Sequence, residues 1–283
     1  MTRIATISGP NGPIISFSSE AAGPWPQLHL ETVSGWFGGV GVKDTSTPRM
    51  GHGVFSQPTR FTGRGLTVYG FTKYETDEER HILERGFSSV LADGETYRLT
   101  VEIDGHALWC DVKQDGEIGV ASEGVDLLNV VIPLEAEDPR VYAEEHRYQL
   151  FPAGFGEGLV YPLFADGVLD YGDVTPGSSV PVRNGGTARA YPRFEVQGNW
   201  PSGFRITSGQ DVVEYGAPVL GRETLVVDMR TGSIAVKNGG DRTHLATRRS
   251  WFGVDPGQTI QPRLAAVGEG TGFADVYLAD TYL

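Results

Sequence analysis

The sequence predicts an all-β fold with one helix, divided between two domains. Its 283 residues include 39 glycines and 17 prolines, a frequency of turn-forming residues that is typical of many short strands joined by tight turns. Only one segment has helical periodicity. The length is sufficient for two domains that each bury a core.

The first quarter of the chain combines turn-rich segments with short strands. The segment ATISGPNGPIISF predicts a hairpin with its turn at Pro10-Asn11-Gly12, because Gly-Pro and Asn-Gly pairs favour tight turns. Residues 25–53 are rich in glycine and proline and weakly periodic, so they predict no regular element. A short strand follows at residues 65–71.

The one predicted helix begins with a capping box, in which Thr76 is followed by Glu79. Asp77 and Glu78 favour the positive end of the helix dipole. The apolar residues at helical spacing predict a buried stripe that ends near residue 91, before Asp93-Gly94. They are Ile82, Leu83, Phe87, Val90 and Leu91.

Asp-Gly pairs recur eleven residues apart, at Asp93-Gly94, Asp104-Gly105 and Asp115-Gly116. Such a pair between alternating strands favours a type I′ hairpin turn, since both central residues of that turn need positive φ. The pattern predicts an antiparallel meander, followed by a strand from Leu127 to Leu134.

After Tyr142 the composition changes to glycines among prolines and aromatic residues. We therefore predict a domain boundary near residue 150, with domains at residues 1–150 and 151–283. The second domain has strand and turn patterns without a helix, including a hairpin formed by residues 225–228 and 233–236. These patterns predict a β-sandwich.

Charge and cysteine content argue against several function classes. A formal charge of −13 and a pI of about 4.9 disfavour tight binding of nucleic-acid phosphates. Cys110, the only cysteine, lies in an apolar strand pattern, so we expect a buried, unreactive thiol. No apolar stretch has the length of a membrane helix and no secretory signal is visible, so we expect synthesis in a cytoplasm and no membrane insertion.

We predict no catalytic, cofactor-binding or metal-binding residues. The sequence lacks the G-x-S-x-G, H-E-x-x-H, P-loop and dinucleotide-binding motifs, and none of its six histidines has a partner at metal-ligand spacing. The adjacent residues Glu144, Glu145 and His146 point to alternate faces of any strand, which favours a solvated edge over a metal site.

Two acidic pairs have a functional and a structural interpretation. Asp93 with Glu95, and Asp115 with Glu117, resemble calcium ligands or the acids of a glycosidase. An aspartate before glycine is, however, already explained by the turn that the pair forms. The turn interpretation is therefore favoured.

The segment VIPLEAEDPRVYAEE, at residues 131–145, predicts the end of a strand at a domain edge. Pro139 has no N–H to donate to a sheet and biases Asp138 towards an extended conformation, so the strand ends there. Arg140 is then placed to pair with a nearby carboxylate.

The order of these motifs resembles the distal tail proteins of long-tailed siphophages. In the first half the resemblance covers the hairpin, the strand at residues 64–70, the helix, the meander and the closing segment 134–142, in which Asp138-Pro139-Arg140 followed by Tyr142 is the most specific part. Residues 184–198, 222–227 and 250–257 are similar to the C-terminal domain of that family, which includes minor tail proteins of actinobacterial phages.

The resemblance implies a structural virion protein at the distal end of a long non-contractile tail. The N-terminal domain is expected to be a β-sandwich or split-barrel-like domain that forms a six-membered ring, and the C-terminal domain a galectin-like or jelly-roll sandwich facing outward. The homo-hexamer would link the tail tube to the tail tip or baseplate. Expected partners are the tail tube protein, the tape measure protein and the tail-tip hub, fibre or receptor-binding proteins, with DNA passing through the lumen without tight binding.

An alternative interpretation is a carbohydrate-binding or glycan-hydrolysing protein built from two β domains. Trp200 and Tyr215 are aromatic residues of the second domain that would stack on sugars if they were exposed. Packing in the core is the commoner position of such rings.

Limited proteolysis tests the predicted boundary. We expect first cleavage between about Gln149 and Gly172, because exposed connections rich in glycine and proline are cut before packed strands. Each fragment should then melt cooperatively. First cuts within residues 93–117, without a stable fragment that begins near residue 160, would instead show that both halves share one core.

Overall fold

The computed structural model of the chain describes residues 2–10, 12–20, 25–43, 47–48, 50, 52, 54–55, 60–152, 164–165, 168–169 and 179–283. Asn11 of the predicted first turn, and most of the predicted cleavage region after residue 152, lie outside the described residues. The chain forms two compact units, Met1–Ala143 and Glu144–Tyr282. The predicted all-β fold with one helix is confirmed, and the boundary at residue 150 stays a prediction.

The first unit contains twelve strands and one helix among its described residues, and β13 begins at its end. The elements are β1 (Arg3–Gly9), β2 (Gly12–Ser18), β3 (Leu28–Ser34), β4 (Val42–Lys43), β5 (Thr47–Pro48), β6 (Val54–Phe55), β7 (Arg60–Phe61), β8 (Arg64–Lys73), α1 (Asp77–Ser89), β9 (Tyr97–Ile103), β10 (His106–Gln114), β11 (Gly119–Glu123), β12 (Leu127–Ala136) and β13 (Val141–Leu150).

Seven of these strands form a closed barrel in the order β12-β8-β3-β2-β1-β9-β10, and β10 pairs back to β12. Two seams are short. The seam between β2 and β3 is a parallel bridge from Ser18 to His29, and the closing seam pairs Lys113 with Glu135 and Gln114 with Leu134. β11 pairs with the remaining part of β12 and is the terminal strand of the order among the described residues.

The barrel core follows from strict alternation along its strands, since successive side chains point to opposite faces. The inward residues of β12 are Leu128, Val130, Ile132, Leu134 and Ala136, each at most 1% exposed. Gly70 on β8 is required by close packing, because a Cβ there would lie 2.5 Å from the Phe17 ring and 2.6 Å from the His29 carbonyl oxygen.

The predicted helix is confirmed together with its capping box. The Glu79 N–H donates to the Thr76 hydroxyl at 3.2 Å, and the Glu79 carboxylate accepts from the Thr76 N–H at 3.4 Å. α1 ends at Ser89, slightly before the predicted end near Leu91, because Val90 is extended and Leu91 has a φ of 63°. Ile82 is 56% exposed, so its place in the buried stripe is wrong.

Of the three predicted Asp-Gly hairpin turns, only Asp104-Gly105 has the predicted form, with positive φ at both residues between β9 and β10. Asp93-Gly94 follows the helix. Asp115-Gly116 leads from β10 to β11, which pairs with β12 and not with β10. The predicted regular meander is therefore wrong. Barrel closure pairs β12 with the edge of β10 on which the meander would place β11.

β3 is a barrel strand that the sequence did not predict, because residues 25–53 lack clear alternation. The structure gives the reason. The pairing of β3 with β8 shifts register between Leu30 and Thr32, and an extra residue in one strand moves the following side chains to the opposite face.

The second unit contains the rest of β13 and the elements that follow it. These are β14 (Phe164–Ala165), β15 (Val168–Leu169), β16 (Val182–Arg183), β17 (Arg193–Asn199), β18 (Phe204–Ser208), β19 (Asp211–Tyr215), β20 (Thr224–Asp228), β21 (Ser233–Val236), a 3-10 turn (Thr243–Leu245), β22 (Ala246–Arg249), β23 (Thr259–Ile260), β24 (Arg263–Ala266) and β25 (Thr271–Tyr282).

The second unit is a two-sheet sandwich. One sheet has the order β13-β25-β17-β20-β21 and the other β22-β19-β18-β24, with β14–β15 and β16–β23 as separate pairs. Both sheets contribute to one core, as Phe194 and Val276 of the first and Phe204 and Ile206 of the second are fully buried. The predicted hairpin is confirmed as β20 and β21.

Candidate functional site

The residues considered above as metal ligands or catalytic acids make local structural contacts or are exposed to solvent. Among the described residues, no three His, Cys, Asp or Glu side chains form a group that could hold a metal ion. Asp93 accepts hydrogen bonds from the Tyr97 hydroxyl and the Glu95 N–H, and the bond from Tyr97 is the main reason why the pKa of Asp93 is lowered. Glu144 and His146 are exposed on β13. The turn and solvated-edge interpretations agree with these contacts.

Cys110 lies inside the barrel, as expected. It is 1% exposed, and burial raises the pKa of its thiol to about 12. The thiolate, which is the nucleophilic form, is therefore disfavoured at neutral pH.

Trp200 and Tyr215 are both fully buried in the sandwich core. Phe204 lies between them, with its ring 6.2 Å from Trp200 in an edge-on arrangement and 5.5 Å from Tyr215 in a stack. These rings cannot reach a sugar, so the stacking role considered for them is wrong and the core interpretation is confirmed.

None of the described helices is both long enough and apolar enough to span a membrane.

The most organised polar site of the first unit lies where the chain leaves the barrel. We call Arg64, Asp138, Pro139, Arg140 and Tyr142 the exit cluster. The Asp138 carboxylate accepts hydrogen bonds from the Arg140 N–H at 3.2 Å, from the Arg140 guanidinium at 3.3 Å and from the Tyr142 hydroxyl at 2.6 Å. The expected pairing of Arg140 with a carboxylate is confirmed, and these bonds give a physical role to the Asp-Pro-Arg-x-Tyr element.

Arg64 connects the segment that follows β12 to the segment that follows β3. Its Nε donates to the Pro139 carbonyl at 2.7 Å, and its Nη1 donates to the carbonyls of Gly35 and Trp36, each at 3.0 Å. The residue is 4% exposed, and burial lowers the pKa of its guanidinium. Five fixed donors make arginine suited to several carbonyls at once.

Gly35 has a backbone conformation that presents its carbonyl to Arg64. Its φ is +78°, and a Cβ there would lie 2.2 Å from the Gly65 carbonyl oxygen. Only glycine adopts this conformation at that distance without strain. The Gly35 carbonyl that Arg64 binds is thus positioned by a backbone conformation that favours glycine.

An aromatic stack holds the start of β13 against β10. The rings of Trp109 and Tyr142 lie 4.8 Å apart, the Arg98 guanidinium carbon lies 3.6 Å from the centre of the Trp109 ring, and the Trp109 indole N–H donates to the Ala143 carbonyl at 3.0 Å. The stack and the exit cluster hold the start of β13 in place, so these residues have a structural role.

The second unit has a corresponding polar site on the sheet of β13, β25 and β17. Glu195 and Asp275 lie opposite each other on β17 and β25 and are 4% and 2% exposed. Glu195 accepts from Arg193 at 2.5 Å and from Lys237 at 2.7 Å, whereas Asp275 accepts from Arg147 at 2.8 Å. We call these five residues the carboxylate ladder.

The ladder keeps the buried carboxylate of Glu195 charged. Burial alone would raise the pKa of Glu195, but the hydrogen bonds from Lys237 and Arg193 outweigh it and hold the pKa below its ordinary value of 4.5. Arg193 is itself held by Glu145, at 2.9 Å, and by the face of the Tyr277 ring, 4.4 Å away. The ladder thus ties neighbouring strands of one sheet together.

The sequence predicted the strand end at Pro139 and the pairing of Arg140, but not the buried Arg64 or the carboxylate ladder. Arg64 is the first residue of the strand that resembles the family, and the sequence does not predict its burial. The sequence contains only a weak indication of such buried charges. A single charged residue begins or interrupts an apolar strand pattern, as Glu195 does between Phe194 and Val196. A sequence alone does not show which partner accepts such a charge.

No protein-family model matches the chain, and no curated protein matches it. Among solved structures, the Dit protein of phage SPP1 matches with a TM-score of 0.64 and 13% identity, over 99% of this chain and 99% of that chain. The chain has the fold of a phage tail hub protein. That structure is described as a paradigm of the hub adsorption apparatus in phages that infect Gram-positive bacteria.

A second solved structure has a weaker likeness. A chain of the phage P2 baseplate, in its activated conformation with calcium, matches with a TM-score of 0.53 and 10% identity, over 100% of this chain and 98% of that chain. Both likenesses extend over both compact units. They therefore concern the whole two-unit fold and not one β-sandwich alone.

Replacing Arg64 should destabilise the first unit selectively. Arg64→Met leaves three carbonyls without their donor, and the bond to the Trp36 carbonyl is the buried one. An unsatisfied buried group costs about 1–3 kcal/mol, so we expect a loss of at least about 1 kcal/mol in the free energy of unfolding. Arg64→Lys should recover part of it. Hydrogen exchange measured by mass spectrometry would show faster exchange in residues 2–143.

Arg85→Met is the matched control, because Arg85 is exposed on α1 and exposed substitutions usually change stability by less than about 0.5 kcal/mol. Equal effects of the two methionine variants would contradict the role assigned to Arg64.

Acidification should weaken the carboxylate ladder. Because the pKa of Glu195 is depressed in the folded state, its contribution to stability is present above its ordinary pKa of 4.5 and is lost as the pH falls through the folded value. The difference in free energy of unfolding between wild type and Glu195→Gln should therefore be largest above pH 4.5 and shrink below it.

Chemical denaturation at a series of pH values measures this difference. Glu269→Gln, at an exposed carboxylate of the same unit, is the control and should keep the acid dependence of the wild type. A Glu195→Gln variant with an unchanged acid dependence would show that the ladder is not pH-linked.

Proposed function

We propose that this chain is a structural virion protein at the distal end of a long non-contractile phage tail. In this role it forms a homo-hexameric ring that joins the tail tube to the tail tip or baseplate and to the receptor-binding proteins. Its neighbours would be the tail tube protein, the tape measure protein and the tail-tip hub or fibre proteins. The chain would be made in the host cytoplasm and incorporated into the virion.

The observation that carries the proposal is the fold likeness to the SPP1 Dit protein over 99% of both chains. The order of motifs in the sequence, which resembles that of siphophage distal tail proteins, supports the same role. Within this proposal, residues 1–150 form the ring and residues 151–283 face outward. The resemblance to minor tail proteins of actinobacterial phages suggests the host group.

The charge of the chain suits a ring through which DNA passes. With a formal charge of −13 per chain, a ring would repel phosphates along most of its surface, whereas a basic lining would retain them. Six acidic chains also repel one another. Salt that screens this repulsion, or the tube itself, would therefore favour ring closure.

We further propose that the chain has no catalytic activity. The buried charged residues Arg64, Glu195 and Asp275 are engaged with backbone carbonyls or with opposite charges. A catalytic acid or base must instead be free to exchange a proton with a substrate. The contacts of these residues support a structural role.

Imaging of intact particles tests the proposed role. Electron cryo-microscopy of virions should place this chain at the tail tip, in a ring with six-fold or pseudo-six-fold symmetry around the tube axis. An antibody against the chain should label the same end of the tail. Density for the chain only in the capsid or in radial fibres, or a tip ring of another symmetry, would contradict the proposal.

A further inference from the structure

The four-stranded sheet β22-β19-β18-β24 of the second unit has a face that points away from the core. Buried residues alternate along its strands with partly or fully exposed ones, and the latter point outward. The outward residues are Arg205 and Thr207 on β18, Val212 and Glu214 on β19, Arg248 on β22, and Arg263 and Ala265 on β24. We call these seven residues the outer face.

The outer face is cationic although the chain is acidic. Its three arginines and one glutamate give a charge of +2, whereas the formal charge of the chain is −13. Glu214 is already engaged, because it accepts from the Arg205 guanidinium at 2.6 Å and from the Thr247 hydroxyl at 2.8 Å. Arg248 and Arg263 are exposed, and no described residue forms an ion pair with either. Two positive charges thus remain for a negatively charged ligand.

A pocket lies on this face beside Arg263. It has a volume of about 300 Å³ and is lined by Thr207, Gly209, Gln261 and Arg263. Thr207 and Arg263 lie directly opposite each other on β18 and β24, so their side chains share one side of the sheet. Gly209 follows β18 and Gln261 precedes β24. The volume is at the lower end of the range of about 300–1,000 Å³ that is typical of small-molecule sites.

The lining groups indicate the chemistry of a ligand. A guanidinium is a planar fork that matches two oxygens of a carboxylate or a phosphate group. The Thr207 hydroxyl and the Gln261 amide each donate and accept hydrogen bonds, so they suit the hydroxyl groups of a ligand. None of the four lining residues is aromatic or a large aliphatic residue. The pocket therefore fits a polar, anionic molecule.

We propose that this pocket binds a hydroxylated molecule of sugar size that carries a carboxylate or a phosphate group. Arg263 binds the anionic group, Thr207 and Gln261 bind hydroxyl groups, and Arg248 adds attraction from the same face. The site follows from the second unit alone and does not rest on the proposed function. In a virion protein it would give the second unit a contact with acidic glycans.

An acidic segment of another protein is a less favoured ligand. Protein partners are usually anchored by large aromatic or apolar side chains in the centre of the contact. The apolar residues of the outer face are only Val212 and Ala265, which offer little area for such an anchor.

Saturation-transfer difference NMR on the full chain tests the ligand class. The probes are glucuronate, which carries a carboxylate, and glucose 6-phosphate, with glucose as the neutral comparison. We expect at least one anionic probe to bind at least about tenfold more tightly than glucose, since hydrogen bonds to charged groups are the stronger ones. Excess inorganic phosphate should displace the bound probe. Binding of only one anionic probe would identify which anionic group the pocket takes.

Substitutions test the residues. Arg263→Met should raise the dissociation constant of the bound probe at least about tenfold, because it removes the charged fork and keeps a long side chain. Arg263→Lys should retain part of the affinity, since it keeps the charge without the fork. Thr207→Val removes only the hydroxyl and should raise the dissociation constant about threefold. Arg222→Met is the matched control, because Arg222 is an exposed arginine just before β20, and it should bind like wild type.

Circular dichroism checks that each variant folds. If Arg263→Met does not fold, Arg263→Lys and Thr207→Val decide the test, and both should bind more weakly than wild type. No binding of either anionic probe, equally tight binding of glucose, or equal effects of Arg263→Met and Arg222→Met would overturn the site. Binding of a polyglutamate peptide without either probe would also overturn it, in favour of a protein ligand. Absence of the chain from the tail tip in particle images, with probe binding retained, would remove the proposed function and leave the site in place.

Discussion

A buried arginine is the interaction on which the first unit depends. Burying a charge is costly unless it is compensated by hydrogen bonds, and the Arg64 guanidinium is compensated by three backbone carbonyls. Those carbonyls belong to the two segments that follow the barrel strands β3 and β12. One side chain thus satisfies backbone groups of two segments that lie outside the sheet and holds those segments together.

The segment between β12 and β13 also lies where β10 changes its pairing partner. At its C-terminal end β10 pairs with β12 through Lys113 and Gln114, whereas at Trp109 its partner is Tyr142 of β13. The edge of one strand is therefore shared by two successive strands of the chain. Pro139 lies between them, and because it has no N–H to satisfy, it suits the position where the partner changes.

Local signals in the sequence predicted the parts of the fold that depend on neighbouring residues. The capping box of α1, the strand β8 and the Asp104-Gly105 turn are of this kind, because their geometry is set within a few residues. β3, with its register shift, and the turn at Asp115-Gly116 depend on strands far away in the sequence. The same distinction applies to the polar sites. The hydrogen bond between Asp138 and Tyr142 joins residues four positions apart, so a local motif can indicate it. Arg64 and Pro139 are 75 positions apart, so no local motif indicates their contact.

The likeness to a tail hub protein at 13% identity is consistent with how this chain uses its polar residues. Among the described residues, the buried charged side chains are Arg64, Glu195 and Asp275, and each holds backbone segments or neighbouring strands together. Cores tolerate extensive substitution when volume and pattern are kept, so two chains can retain such a fold while most side chains differ.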